Sequence, residues 1–153
     1  MRKMLLSFSA KTYDKLVSGE KNYEHRKVFP NEPIEAYLYV SNPIKSIVGI
    51  MHLSNRIELG KWKEIYSYDD NAVKRINNYL IHNKYAMEIN DFQNTNRIPL
   101  CTLRDELPHF IVPQMYYYID DTFLLDYLQT RLHPVGKRIT HDFTKITSDQ
   151  ICR

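Results

Sequence analysis

Ile34–Val40, IEAYLYV, alternates cleanly: Ile34, Ala36, Leu38 and Val40 face one way, Glu35, Tyr37 and Tyr39 the other. Little more than Ser41-Asn42-Pro43 separates it from Ser46–Leu53, SIVGIMHL, which is apolar on both faces, as expected of a buried central strand. Two strands joined this tightly break the regular strand–helix alternation of a doubly wound parallel sheet. The predicted fold class is α+β, a small, curved, mainly antiparallel β-barrel decorated by helices.

The flanking segments fit that outline. Met4–Ser9 alternates weakly and reads as a first strand. In SAKTYDKLVSG, Tyr13, Leu16 and Val17 are helically spaced, with Ser9 or Thr12 as N-cap and Gly19 as the stop. The pattern is helical from Glu58 to His82, with Asp69 or Asp70 as a cap, and Tyr85–Ile89 restores a strand. TLRDEL after Pro99 reads as a turn, and Asp120 or Asp121 as the cap of a last helix. With 153 residues the chain is long enough for one cored domain. Its expected limits are 1–132, with 133–153 a partly ordered tail.

Composition narrows the function classes. Net charge is +3 without any long run of like charge, which disfavours long duplex DNA and leaves a nucleotide or short strand open. Twelve tyrosines suit pocket walls and base-stacking surfaces, and equally suit a low-glycine composition. Cys101 and Cys152 form no paired framework, so a reducing, cytoplasmic location is expected, with no membrane span. The six histidines show no metal-ligand spacing, so neither a metal nor another cofactor is expected.

Ser18–Lys27, SGEKNYEHRK, is the anomaly. A strand is due at Lys21–Lys27, yet neither side of its alternation offers the core an apolar face. Gly19-x-Lys21-x-x-Glu24-x-Arg26 resembles the GxKxxExR signature of the ASCH domain, a barrel family related to the PUA RNA-binding fold. LLSFSAKTYDKLVSGEK, YLYVSNPIKSIVGIMHL and PLCTLRDELPHFIVPQMYYYI are similar to further stretches of that family, in order, so the resemblance spans roughly Met4 to Ile119.

The resemblance implies an RNA or modified-nucleoside binding module, in RNA metabolism or transcription-linked regulation. Glu24 and Arg26 leave the same face of a strand. Arg26 offers a planar fork of donors, Glu24 an acceptor for an amine or hydroxyl, and Lys21 a mobile charge. The competing reading of Glu-x-Arg is a plain structural ion pair. Ser41, Asn42 and Pro43 are expected as one wall of the pocket, with an ordinary turn as the alternative, and Gln114 and Tyr116 are placed near it by the resemblance. Tyr37 and Tyr39 could stack on a base or pack across strands.

Some ASCH proteins of this size are hydrolases of N4-acylated cytidine, with Thr at the position held here by Glu24. An amidohydrolase using Lys21 and Glu24 as catalytic residues is therefore the alternative function. Glu24 is a poor stand-in for that hydroxyl nucleophile, although it could activate water as a general base.

Overall fold

The computed structural model describes residues 1–153. In chain order the elements are β1 (Arg2–Phe8), α1 (Ala10–Val17), β2 (Tyr23–Arg26), β3 (Ile34–Val40), β4 (Ser46–Glu58) and α2 (Leu59–Ile65). They continue with α3 (Asp70–Leu80), β5 (Tyr85–Pro99), α4 (Leu100–Glu106), β6 (Tyr116–Tyr118), α5 (Phe123–Arg131) and β7 (Ile139–Thr140). One curled sheet runs in the order β2-β5-β4-β3-β1-β6, with β7 added to β5. Only β1 and β3 pair in parallel, and α1 and β2 fill the crossover between them. The result is a half-barrel of the α+β class.

Irregular pairing explains the curl. Register shifts interrupt β4 against β5 at Ile47/Gly49, His52/Leu53 and Ser54/Arg56, and each such bulge bends its strand and adds twist. Gly49 lies where the two strands crowd: a Cβ there would sit 2.5 Å from the Gln93 carbonyl oxygen and 2.6 Å from the Phe92 ring. The glycine in SIVGIMHL is therefore a steric requirement of the sheet.

Both faces of the sheet are covered. Met4, Leu6, Phe8, Ile34, Leu38 and Met51 pack inside the curl with Tyr13 and Leu16, so α1 closes one opening as expected. Leu5, Tyr37, Tyr39 and Ile47 face a second core under α4 and α5. Tyr37 and Tyr39 are each 2% exposed, so they pack in that core, and base stacking by them is ruled out. Tyr23, Trp62, Ile76 and Ile151 form a third core beneath α2, α3 and the C-terminal segment.

Several local expectations need correction. TLRDEL lies in α4 up to Glu106, with Leu107 as its C-cap, and the Glu58–His82 pattern splits into α2 and α3. Thr122 caps α5 through its hydroxyl, because Asp120 is engaged by the Arg2 side chain and the Lys3 amide. Ser9 and Asp69 do cap α1 and α3. Residues 133–153 dock back onto the domain. Ile139 and Thr140 pair with β5, the Phe143 ring lies 5.2 Å from that of Tyr23, and Ile151 is fully buried. No helix is long and apolar enough to cross a membrane.

Candidate ligand-binding site

The site begins where α1 ends. Gly19 adopts φ +81°, open to glycine and strained for other residues, and this reverses the chain. The Lys21 amide then donates to Lys15 O at 3.1 Å, which fixes the entry into β2. Strand β2 pairs antiparallel with β5 and is buried on both faces: Tyr23, Glu24 and His25 are all under 9% exposed. Although neither side of the strand is apolar in sequence, both are covered, because the barrel interior lies on one side and the third core on the other.

Arg26 is occupied. Its Nε donates to Glu24 Oε1 at 3.0 Å and its Nη2 to the Ser7 carbonyl at 2.9 Å. The second bond spans the gap between β2 and β1, which share no backbone pairing. Arg26 therefore fastens the seam of the half-barrel and orients Glu24.

Lys21 and Glu24 differ from it. Glu24 is 5% exposed, and its Oε2 is buried without a protein partner. Lys21 is also 5% exposed, and its amine forms neither an ion pair nor a hydrogen bond; the Phe8 ring centroid is 5.9 Å away. Burial lowers the Lys21 pKa, and the Glu24 carboxylate opposes that shift only in part. A strong donor and a strong acceptor thus stand close to each other unpaired, where such groups are ordinarily satisfied.

Residues beyond the expected set gather around them. Both ring nitrogens of His25 are buried and unpartnered, and its ring lies 4.6 Å from that of Tyr79. Burial, aided by the charge of Lys21, holds His25 well below the usual imidazole range. Burial pushes the Cys152 thiol up to about 12, with Lys21 pulling the other way. Neither was legible beforehand: His25 fills an unspecified position of the signature, and Cys152 lies far along the chain.

The other expected wall residues lie around the same end of β1. The Ser41 amide donates to Phe8 O at 3.0 Å, and Asn42–Pro43 is a cis peptide with both residues exposed. Tyr116 pairs with Leu6 on β6, and its ring lies 5.3 Å from Phe29, while Gln114 is exposed just before it. No hydrogen bond or ion pair joins Ser41, Asn42, Pro43, Gln114 or Tyr116 to Lys21, Glu24 or Arg26. No group of three or more His, Cys, Asp or Glu side chains converges as a metal site would require.

Comparison with solved structures places the fold. The crystal structure of ASCH from Zymomonas mobilis superposes with a TM-score of 0.67 over 88% of this chain and 99% of that chain, at 19% identity. The fold is that of an ASCH domain. Two mutants of the Zymomonas mobilis protein agree. A tyrosine-to-phenylalanine form gives a TM-score of 0.66 at 18% identity, over 87% of this chain and 100% of that one. A serine-to-alanine form gives 0.63 at 19% identity, over 84% and 96%. No family model matches the chain, and no curated protein matches it. In this ASCH fold the signature segment forms the turn after α1 and strand β2, the edge that Arg26 ties to β1.

Proposed function

We propose that this ASCH-fold protein is a binding module for RNA or a modified nucleoside, gripped by Lys21 and Glu24, with Arg26 holding Glu24 in place. One observation carries the reading: Glu24 Oε2 is buried without a partner in the protein, and the nearby Lys21, itself a buried residue, makes no hydrogen bond or ion pair through its amine. A buried polar group left alone costs roughly 1–3 kcal/mol, so a ligand that donates to Glu24 Oε2 recovers that cost and can offer an acceptor to the Lys21 amine beside it. The edge of a nucleobase carries such an arrangement, with an exocyclic amine for Glu24 and a ring or carbonyl acceptor for Lys21. Ser41–Pro43, Gln114 and Tyr116 would flank the ligand from the β1 end. The two cysteines are free, which supports a reducing, cytoplasmic setting.

Calorimetry with modified cytidines and short RNAs tests the proposal. Lys21→Ala is expected to weaken binding by roughly 1.5–3 kcal/mol, the worth of a charge-assisted hydrogen bond, without lowering the melting temperature. Loss of stability with unchanged affinity would instead assign Lys21 to the scaffold.

One observation favours a second reading. Burial lowers the pKa of Lys21, as a lysine serving in proton transfer requires. In that reading Glu24 takes a proton from water, which attacks the acyl carbon of an N4-acylated cytidine and releases cytidine and the carboxylic acid. Chromatography of the acetylated nucleoside after incubation decides. Efficient turnover abolished by Glu24→Gln, with binding intact, would replace the binding module by the hydrolase.

A further inference from the structure

Beyond Arg26 a cavity of about 550 Å³ opens between the β2–β3 loop, β4, the end of α3 and the start of β5. Its charged lining has one sign. Lys27, Arg56 and Lys84 bring three positive charges, His82 adds an imidazole, and no carboxylate lines the space. None of the three cations takes part in an ion pair. Like charges gathered in a concave surface focus a positive potential into it.

Two of the cations are also held in place. Arg56 Nη1 donates to the Phe29 carbonyl at 2.8 Å, and its guanidinium lies 4.1 Å over the Tyr85 ring. The Lys84 amine lies 5.3 Å from the same ring centroid. One aromatic plate therefore orients two cations, while the remaining Arg56 donors make no bond within the protein. The C-terminal end of α3 would oppose an anion here if its carbonyls were free. Tyr79 O, however, already accepts from the Asn83 amide at 2.8 Å and the Asn83 side chain at 3.1 Å. The cavity adjoins the site described above, because the Lys84 amide donates to Arg26 O at 3.0 Å.

We infer that this cavity is a phosphate site, taking the terminal phosphate of a nucleotide or the phosphodiester of a strand whose base is held at Lys21 and Glu24. The assignment of the base rests on the function proposed above; the phosphate site itself stands on its own lining. A bare nucleoside would engage only one of the two sites.

Calorimetric titration with inorganic phosphate at low ionic strength tests the cavity directly. Wild type and Lys21→Ala are expected to bind alike, and Lys27→Gln/Lys84→Gln roughly tenfold more weakly for the loss of two exposed, solvent-screened positive charges. Both lysines are exposed and their side chains make no hydrogen bond or ion pair, so that variant should keep the wild-type melting temperature. Arg56→Gln is expected to weaken phosphate too; if it fails to fold, the lysine pair decides. Absence of phosphate binding by wild type, or equal binding by the lysine variant, overturns the inference.

Cytidine, cytidine monophosphate and a cytidylyl dinucleotide then separate the sources. Tighter binding of the monophosphate than of cytidine assigns a terminal phosphate; a gain with the dinucleotide alone assigns a phosphodiester. Equal affinity for all three overturns the coupling of the two sites. Phosphate binding as expected with no binding of any nucleoside would refute the proposed function and leave the phosphate site standing.

Discussion

Lys21 enters the interior with little compensation: no protein group hydrogen-bonds its amine, and burial outweighs the attraction of Glu24. The unfolded chain keeps this proton up to the ordinary lysine value near 10.5. Between the lowered folded value and 10.5 the unfolded state binds more protons, so stability rises with pH across that window and falls as pH descends through it. Lys21→Met removes the penalty and is expected to stabilise the protein at neutral pH by roughly 1–3 kcal/mol. Melting curves should show the gain shrinking as pH approaches 10.5; a variant less stable than wild type at neutral pH would mean that the amine is satisfied. His25 acts in the acid range by the same logic. Its folded pKa lies well below 6.5, so the unfolded state takes up the extra proton first and stability falls as pH drops below 6.5. His25→Phe should flatten the fall in urea midpoint between neutral and mildly acid pH. Some slope should remain, because burial lowers His141 too. An unchanged slope would clear His25 of the effect.

Strand β2 was the hardest element to read from the sequence. Alternation places Glu24 and Arg26 on one face and Tyr23 and His25 on the other, which it does, yet charge alone suggests solvent on at least one side. The covering layers come from distant chain: α2, α3 and Ile151 on one face, and the curl that brings Ser7 to Arg26 on the other. No local period encodes either. By contrast β3 and the first half of β4 were legible, because Ile34–Val40 alternates and Ser46–Leu53 is apolar on both faces. Helix α4 escaped because its seven residues are too few for a period and Pro99 gives no side-chain cap. The seam gives its own prediction. Arg26→Ala leaves Ser7 O unpaired, frees Glu24 Oε1 and parts β2 from β1, for an expected loss of roughly 3–5 kcal/mol. Lys cannot span both partners at once, so Arg26→Lys should rescue little. If chemical denaturation shows Arg26→Ala within a few tenths of wild type, the seam does not depend on this side chain.

The molecule is held together by three cores, and the C-terminal segment belongs to the third. Sequence reasoning left 133–153 as a tail because it has no regular period, and short pieces that dock one at a time leave none to find. Phe143 reaches Tyr23, Arg75 Nη2 donates to Ser148 O at 2.7 Å, and Ile151 and Cys152 are buried against α2, α3 and β2. A fully buried apolar side chain is worth roughly 1.5–3 kcal/mol, so the docked segment contributes a sizeable part of a small domain's stability. Trp62, the one tryptophan and 4% exposed, reports on this core. Removing residues 133–153 should lower the melting temperature and shift tryptophan emission to the red as water reaches Trp62. Ile151→Ala should do the same in part, losing roughly 2–5 kcal/mol with the cavity it leaves. Full-length emission and stability in the truncated chain would mean that the domain is complete by Leu132 and that the third core closes without its last segment.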